Sequence, residues 1–412
     1  MTLHIGIAGP IATRDVAHLL DAPAALPEGC NGAPLLVTLI GELLRRGHRV
    51  SAFTLSNGMP QRAGASQVAR GPRLEIHYAP NRPRAWPPNG WRPGRIVDLY
   101  AFERAGLLRS MRAARPDVVH AHWSYEFAWA ALRSGLPHVV SCHDSPLRVA
   151  RFERDFTHGA YRWLRAGIAW HVLRQARRVT TVSPYMVDEV QPLCRVPVSI
   201  VPNPIAESAA TRRRTASASG MKLVMVSNGW GPRKNAAAGL RAFALLAAEL
   251  PAAELHLYGH DGEPGGPAQR WWQQQGLSGS VVFHGAVSHD DVLDAMASSD
   301  LLLHPAIEES FGAVLGEAMA MGLPLVAGER CGAVPWVVGD AGRLVDVTRP
   351  ECIAEAIRSL LTDADAMIEM GRRGRDRVQA CFSPAAVATL YEREYEAALA
   401  GVQLPARAEV VA

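Results

Sequence analysis

The chain has 412 residues, 48% of them hydrophobic and 20% charged, which is enough for two or three globular domains. No apolar run reaches the roughly 18 to 20 residues that a membrane span needs, and we expect no signal peptide. The six cysteines are scattered singly and form no CxxC pair, so they suggest neither a zinc site nor a disulfide framework, and we expect a reduced, cytoplasmic protein.

Charge is divided unevenly between the two halves of the chain. Residues 1–205 contain 25 Arg, no Lys and 14 acidic residues, a net of +11, whereas residues 206–412 hold 18 basic and 25 acidic residues, a net of −7. A basic first half indicates an anionic partner, either an anionic lipid surface or a phosphorylated acceptor. No nucleic-acid-binding motif accompanies the charge, so nucleic acid is not expected. Alternatively, the excess of positive charge reflects an arginine-rich composition in which the side chains only solvate the protein surface.

Strand and helix patterns alternate along the first half. Apolar residues at helical spacing predict a helix from Ala33 to Arg46, and the Pro- and Gly-rich segment Ala79–Gly94 is predicted to be a loop. The stretch Arg148–Arg178 interleaves arginines with aromatic residues. It is either an interfacial helix that docks on anionic lipid or an ordinary domain helix with a solvated basic face. Strands are predicted at LHIGIAG, RVSAFTL, RLEIHYA, PDVVHAH, HVVSCHD, RVTTVS and SIVPN.

The second half repeats this alternation after a small, polar and basic stretch, residues 206–220, which is predicted to be a linker. Alternating strands and helices predict parallel sheets with helices on both faces. The chain is therefore predicted to form two Rossmann-like α/β domains, residues 1–205 and 221–383, that face a central cleft, followed by a helix over 384–400. The second set of strands is predicted at MKLVMVSNG, AELHLYG, SVVFHG, DLLLH, LPLVAG and GRLVD.

Two carboxylates in the segment 304–328, Glu309 and Glu317, are separated by seven residues. The segment indicates a strand end, a loop with Ser310 and Phe311, and a helix from about Gly312 to Met321. The first turn of such a helix exposes backbone N–H groups beside a glycine, an arrangement that binds phosphate. One carboxylate can face one end of a ligand while the other accepts hydroxyl protons, which suits a nucleotide diphosphate sugar. A charged loop followed by an ordinary helix gives the same pattern.

A transferred sugar leaves a diphosphate whose charge must be neutralised by a metal or by basic side chains with a helix N-terminus. Arg233 and Lys234 follow a predicted strand and precede a predicted helix, in SNGWGPRKN. The chain has only one other lysine, Lys222, so a lysine at this place stands out from the composition. We therefore expect basic residues to hold the diphosphate and expect no metal or other cofactor.

Together these motifs resemble those of the retaining glycosyltransferases of family 4, which have the GT-B fold, and the resemblance runs over most of the chain. It implies sugar transfer with retention from a nucleotide sugar, UDP- or GDP-linked, to a glycan, glycolipid or lipid-linked acceptor. Lys234 matches the phosphate-binding lysine of the family, whereas Gly229 stands where the family has an arginine, so Arg233 is the candidate for the second cation. Glu317 is expected to bind the ribose hydroxyls and Glu309 the donor sugar, where it favours positive charge at the anomeric carbon.

The resemblance assigns further residues to the site. His143, in SCHDSP, matches the histidine near the anomeric region of the donor, and Asn31 and Gly32 match the glycine-rich loop after the first strand. Gly285 lies in the loop FHGAVS, which in this family holds the nucleotide base. The family's last helix crosses back and packs on the first domain, which is expected here of residues 384–400.

The expected setting is cell-envelope polysaccharide or lipid-linked glycan assembly, in the cytoplasm with peripheral contact to the inner face of the membrane. A soluble acceptor, as in natural-product glycosylation, remains an alternative. So does a same-fold nucleotide-sugar epimerase, which would need further acid–base carboxylates, and a non-catalytic protein that binds nucleotide sugars.

Overall fold

The computed structural model describes residues 2–22, 26–30, 33–62, 64–153, 155–215 and 221–402. The chain divides into two compact units, of which the first comprises Met1–Pro204 and Val387–Ala412, and the second Ile205–Ala386. Among the described residues, none of the helices combines the length and the apolar character that a membrane crossing requires.

The first unit is built on an eight-stranded sheet whose neighbouring strands are all parallel, apart from one antiparallel pair at an edge. Its strands are β1 (His4–Ala8), β2 (Arg49–Ser56), β3 (Gln67–Arg70), β4 (Leu74–Pro80), β5 (Val118–His122), β6 (His138–Cys142), β7 (Val179–Thr181) and β8 (Val198–Ile200). The order is β3-β4-β2-β1-β5-β6-β7-β8. Every residue of β5 and β6 is buried, as expected for central strands with helices on both faces.

Three helices of this unit begin at polar caps. Ser145, Asp155 and Ser183 each accept a hydrogen bond from a backbone N–H of the first turn that follows. The helices are α1 (Thr13–Val16), α2 (Pro34–Arg45), α3 (Ala101–Ala114), α4 (Glu126–Ser134), α5 (Pro146–Phe152), α6 (Phe156–Leu173) and α7 (Pro184–Val190).

The second unit has a six-stranded sheet that is parallel throughout. Its strands are β9 (Lys222–Val226), β10 (Glu254–Tyr258), β11 (Ser280–Gly285), β12 (Leu301–His304), β13 (Leu325–Gly328) and β14 (Arg343–Val345). The order β11-β10-β9-β12-β13-β14 reverses direction between β9 and β12, and ligands of doubly wound sheets bind beyond the carboxyl ends of the strands at such a point. Two parallel-dominated sheets confirm the predicted α/β fold class.

The helices of the second unit are α8 (Glu207–Thr211), α9 (Ala236–Glu249), α10 (Pro267–Gln274), α11 (His289–Ala297), α12 (Ala313–Met321), α13 (Val334–Val338), α14 (Pro350–Leu361) and α15 (Ala364–Arg377). The last helix is α16 (Pro384–Ala400). From Val387 onward it belongs to the first unit, where Tyr391 and Tyr395 are buried and Arg178 forms an ion pair of 2.6 Å with Glu394. Short turns of helix at Ala17–Leu19, Gln191–Leu193 and Val378–Phe382 complete the elements.

The end of β4 and the predicted linker differ from the sequence prediction. Strand β4 continues to Pro80, so the first two residues of the predicted loop are paired with β2. Helix α8 lies within the predicted linker. Its residue Ala209 is buried, and the helix belongs to the second unit. Residues 216–220 of the predicted linker lie outside the described part of the chain.

Candidate active site

Loops that follow β9 and β12 bring a lysine and two other titratable side chains together in the second unit. Lys234 Nζ lies 2.5 Å from Glu309 Oε1, and His304 Nε2 lies 3.5 Å from the same oxygen. His304 is the last residue of β12, so it reaches the carboxylate from the strand itself. Sequence analysis missed this histidine, although a polar residue that ends an apolar strand at the carboxyl edge is a recognisable signal.

The ionisation of Glu309 depends on these neighbours. Burial by itself raises the pKa of the Glu309 carboxyl, because water no longer solvates its charge. Its contacts with His304 and Lys234 outweigh burial, and the pKa falls from 4.5 to about 2. Glu309 is therefore a fixed negative charge at neutral pH, placed where positive charge on a ligand would be stabilised.

Arg233 lies beside the same loop. Its Nη1 donates to the Glu308 carbonyl at 3.3 Å and lies 3.8 Å from Glu309 Oε2. The loop between β9 and α9 is held by Asn235, which adopts a left-handed φ of 52° and donates through its side chain to the carbonyls of Pro305 and Val347 at 3.0 and 2.9 Å. The backbone that carries Arg233 and Lys234 is therefore hydrogen-bonded to the loop after β12.

The N-terminus of α12 lies directly after this loop. Gly312 precedes the helix with φ of 80° and ψ of 65°, and in this described segment no side chain caps the first turn. A Cβ at Gly312 would come within 2.9 Å of Leu315 Cδ1, so this position requires glycine on both counts. The side chain of Phe311 is buried against Phe382, with ring centroids 5.4 Å apart, and only its backbone can contribute to a site at Ser310 to Gly312.

Glu317 lies more than one turn inside α12, and its side chain contacts the start of α11. His289 Nε2 and Glu317 Oε1 are 2.9 Å apart. The hydrogen bond with Glu317 raises the pKa of His289 above 6.5 despite partial burial, so this ring carries charge over a wider pH range. Sequence analysis did not identify His289, because the contact joins two helices that are distant along the chain.

Gly285 ends β11 with a left-handed φ of 75°. Its N–H donates to the Gly262 carbonyl at 2.9 Å, and its carbonyl accepts from the Gly259 N–H at 2.8 Å. A Cβ here would lie 2.8 Å from Glu263 Cβ. The backbone of Gly285 thus holds the loop after β10 against the end of β11, and the loop shape depends on it.

In the first unit, His143 directly follows β6 and lies among three polar or aromatic neighbours. Its Nδ1 is 3.1 Å from Asn203 Oδ1, its Nε2 is 2.9 Å from His122 Nδ1, and its ring centroid is 4.6 Å from that of Trp123. Since an amide oxygen only accepts, His143 Nδ1 carries the proton and Nε2 accepts from His122. Burial lowers the pKa of His143 to about 4, although Asn203 opposes the shift, so the ring is neutral.

Asn31 and Gly32, the predicted glycine-rich loop residues, lie outside the described part of the chain. Over the described ranges, no group of three or more His, Cys, Asp or Glu side chains has the arrangement of a metal site. The chain does contain one Asp-x-Asp triplet, a pattern that can hold a metal, at Asp363 to Asp365. Asp363 there caps α15 by accepting from the Ala366 N–H at 2.9 Å.

Comparisons with known proteins agree with this architecture. Residues 34–209 match the family model described as Glycosyltransferase Family 4, and residues 207–377 match the model described as Glycosyl transferases group 1. The chain is similar to an MMP alpha-(1->4)-mannosyltransferase of Mycolicibacterium hassiacum, with 26% identity over 412 aligned positions that cover 90% of this chain and 96% of that protein. It is 29% identical to a 2-deoxystreptamine N-acetyl-D-glucosaminyltransferase of Streptomyces fradiae, over 65% of this chain and 70% of that protein.

Among solved structures, the chain is similar to a sucrose-phosphate synthase from Thermosynechococcus elongatus. The TM-score is 0.72 at 19% identity, over 97% of this chain and 99% of that one. At this level of identity the likeness concerns the fold, and it covers both units.

Proposed function

We propose that this chain transfers a sugar, with retention, from a nucleotide diphosphate sugar. It belongs to the group 1 and family 4 glycosyltransferases, which have the GT-B fold, and is itself a glycosyltransferase. The observation that carries the proposed donor site is the Lys234–Glu309 pair beside the uncapped N-terminus of α12. A cation, a fixed anion and exposed backbone N–H groups at one sheet edge suit a diphosphate joined to a sugar.

Each residue of the proposed donor site has a distinct part. Lys234 and Arg233, with the N–H groups from Ser310 to Gly312, bind the diphosphate and neutralise the charge that develops as it leaves. Glu309 accepts hydrogen bonds from donor sugar hydroxyls, and its charge stabilises an oxocarbenium-like anomeric carbon. Glu317 accepts from the ribose hydroxyls, in exchange for its contact with His289. Neither a metal nor a cofactor takes part in this scheme.

The proposed reaction is a displacement on one face of the sugar. The bond from the anomeric carbon to the phosphate oxygen breaks, and the acceptor oxygen forms its bond to that carbon from the same side. The acceptor hydroxyl proton passes to the departing phosphate oxygen, so no side chain is required as a base. A neutral His143, with both ring nitrogens already hydrogen-bonded, fits a role in positioning through its ring or carbonyl rather than in proton transfer.

The experiment for the donor site is calorimetry with UDP, GDP, ADP and TDP and their common sugars, in the presence and absence of EDTA. Wild type is compared with Lys234→Ala and Glu317→Ala, and with Lys222→Ala as a matched control. Lys222 begins β9 at the opposite edge of the sheet, where its ammonium donates to the Ser298 hydroxyl at 3.1 Å. One nucleotide should bind wild type and the control regardless of EDTA, and should bind both site variants at least tenfold more weakly.

Two results would contradict the assignment. If Lys234→Ala and Glu317→Ala bind nucleotide as wild type does, the donor site lies elsewhere. If EDTA abolishes binding, a metal is required. Tight nucleotide binding with no transfer to any glycan or lipid-linked acceptor would instead favour a non-catalytic binding protein.

The proposed acceptor is a glycan or lipid-linked glycan at the inner face of the cytoplasmic membrane. Support comes from the net charge of +11 in residues 1–205 and from the outer face of α6, where Phe156, Trp163 and Trp170 are 90%, 52% and 51% exposed. A seven-residue spacing keeps these rings on one face of the helix. Arg174, stacked 5.2 Å from the Trp170 ring, adds positive charge to that face. Exposed aromatic rings beside cations suit an anionic bilayer surface.

Sedimentation with vesicles tests this contact. The wild type should bind vesicles that contain phosphatidylglycerol and should dissociate at high salt. The double variant Trp163→Ser/Trp170→Ser should lose binding, whereas Trp91→Ser should keep it, because Trp91 is a fully exposed tryptophan on the segment between β4 and α3 and is not part of α6. Equal binding to neutral vesicles, or binding by the double variant, would contradict membrane contact through α6.

A further inference from the structure

A cavity of about 250 Å³ opens at the carboxyl edge of the first sheet. Leu55 of β2, Asn81 after β4, Trp123 after β5 and Asp144 after β6 all line it. Its lining is contiguous with His143, because Asp144 is the next residue and Trp123 stacks on the His143 ring. The cavity is therefore placed where α/β domains bind ligands, beside His143 of the same unit.

Aromatic side chains form much of the wall, and two of them are held in a costly backbone conformation. Tyr100 and Trp123 have φ of 62° and 64°, in the left-handed region that bulky residues rarely adopt. Such conformations concentrate at binding and catalytic sites, where the surrounding structure enforces them. The hydroxyls of Tyr100 and Tyr161 are hydrogen-bonded at 2.7 Å. These rings offer flat apolar surfaces to a ligand.

The arginines of the cavity are already engaged. Arg165 Nη1 donates to the hydroxyls of Tyr100 and Tyr161 at 3.1 and 3.2 Å, and the guanidinium stacks 3.6 Å from the centroid of Tyr125. Arg95 Nη1 donates to two backbone carbonyls at 2.6 Å each. These contacts fix both guanidinium groups as part of the wall.

Three buried side-chain atoms of the cavity residues have no hydrogen bond within the described part of the chain, and two of them are acceptors. These acceptors are Asn81 Oδ1 and Glu126 Oε2, the second of which lies 3.7 Å from Arg165 Nη1, and the donor is Arg165 Nε. Asp144 accepts from the Tyr125 hydroxyl at 3.2 Å, and burial raises the pKa of its carboxyl. Buried polar atoms without partners are rare and costly, which indicates that a ligand supplies the missing donors.

We propose that this cavity binds the acceptor through a single hexose- or cyclitol-sized ring that presents hydroxyl or ammonium donors and carries no anionic group. A hydroxyl both donates and accepts, so it satisfies Glu126 and Asp144 as well as Arg165 Nε. A phosphate offers acceptors where Asp144 and Asn81 need donors, and its negative charge would add to a cavity whose two carboxylates already balance its two arginines. The volume is below the roughly 300 to 1,000 Å³ of ordinary ligand sites, which suits one ring rather than an oligosaccharide. The inference rests on the proposed function, since it concerns the acceptor of that reaction.

Ligand-observed NMR on the full chain tests the chemistry with three probes that share one ring: D-glucose, D-glucosamine and D-glucose 6-phosphate. Saturation transfer should be seen to the neutral or the ammonium-bearing ring and should be absent or weakest for the phosphate. A signal for D-glucosamine alone would assign the ammonium as the required donor, and one for D-glucose would assign the hydroxyls. Preference for the phosphate, or no signal from any of the three, would overturn the proposal.

Variants locate the binding. Asp144→Asn replaces an acceptor oxygen by a donor without changing volume and should weaken binding roughly tenfold or more. Asn81→Ala removes the acceptor oxygen that has no partner, together with the hydrogen bond of 2.7 Å that Asn81 Nδ2 donates to Asn57 Oδ1. Asn57→Ala, which loses that hydrogen bond but keeps the acceptor, is its control and should bind the ring as wild type does. Asp188→Asn is the matched control, because Asp188 is an exposed aspartate on α7. Unchanged binding by both Asp144→Asn and Asn81→Ala would overturn the assignment.

Nucleotide calorimetry on the same samples separates this inference from the donor site. Asp144→Asn and Asn81→Ala should bind the nucleoside diphosphate as wild type does. If no nucleotide binds any sample while the ring signals behave as expected, the donor assignment fails and the cavity stands. If nucleotide binding is intact while both variants give the same ring signals as wild type, the cavity assignment fails and the donor site stands.

Discussion

The contact between Lys234 and Glu309 predicts a variant that binds the nucleotide better but transfers sugar worse. In the free protein the ammonium is 2.5 Å from the carboxylate, so a diphosphate that binds Lys234 must compete with Glu309. Glu309→Gln removes this competition while it preserves volume. We expect a higher affinity for a nucleoside diphosphate without its sugar, together with a transfer rate reduced by about 100-fold or more, because the charge opposite the anomeric carbon is lost.

The pKa of Glu309 sets the size of this effect. Its fall from 4.5 to about 2 corresponds, at about 1.4 kcal/mol per pKa unit, to about 3 kcal/mol of preference for the ionised carboxylate in the folded protein. That preference is complete above the unfolded pKa and is lost as the pH falls from 4.5 toward 2, so it is intact at neutral pH. Lys234 and His304 share it, so we expect a gain in affinity from Glu309→Gln on the order of 10- to 100-fold.

Calorimetry with the nucleoside diphosphate that binds wild type measures the gain, and a transfer assay measures the loss. Glu308→Gln is the control, since Glu308 is the adjacent carboxylate and lies 3.6 Å from Arg233, whereas the Lys234 ammonium donates to Glu309. It should change nucleotide affinity less than Glu309→Gln does. An unchanged or lower affinity in Glu309→Gln would refute the competition between carboxylate and diphosphate.

Three further variants test other parts of the structure. Gly285→Ala should lower both the unfolding temperature and the nucleotide affinity, because φ is +75° and the new Cβ would lie 2.8 Å from Glu263 Cβ. A thermal melt and a calorimetric affinity equal to those of wild type would contradict this. His289→Asn should be destabilising at about pH 6 and less so at about pH 8, since Glu317 raises the pKa of His289 and the pair stabilises the fold only while the ring is protonated. Melts with a constant difference across that range would exclude the pair. His143→Gln should keep the wild-type pH–rate profile between about pH 5.5 and 8, because the pKa of His143 is lowered to about 4. A profile altered in that range would show that His143 changes charge during transfer.

Local patterns in the sequence predicted the elements well where they are strongly apolar. The run LLLH corresponds to β12 residue for residue, and the helix predicted to begin near Gly312 begins at Ala313. Strand β3 was not predicted, because its four residues at an antiparallel edge carry no long apolar run and only one of them is buried. Short edge strands depend on the neighbour with which they pair, here β4, more than on their own composition.

Lys234, Glu309 and Glu317 were singled out from the sequence, whereas His304, His289 and the contacts between these side chains were not. Lys234 and Glu309 are 75 positions apart, and they meet because β9 and β12 are neighbours in the sheet. His289 and Glu317 meet because α11 packs beside α12. Periodicity places each residue at the end of a strand or on a helix, whereas strand order and helix packing decide which of them touch.

The charge of the first unit and the chemistry of its cavity point to different features of one acceptor. Arg82 of this unit is fully buried, and its guanidinium forms ion pairs with Asp98 and Glu103 at 2.7 and 2.6 Å. The cavity itself balances Arg95 and Arg165 against Asp144 and Glu126. The net excess of positive charge therefore lies on the surface, where it acts on distant anions and is screened by salt.

A lipid-linked glycan in an anionic membrane would use both features, with its terminal ring in the cavity and the bilayer against α6. A soluble aminocyclitol would use the cavity alone. Salt separates the two, because screening weakens a long-range attraction between exposed charges but hardly affects hydrogen bonds inside a cavity. If the natural acceptor is lipid-linked, transfer to vesicle-borne acceptor should fall steeply as salt is raised, while transfer to a soluble ring in the same buffers stays constant. Equal salt dependence for the two acceptors would mean that the basic surface does not attract the acceptor and only interacts with solvent.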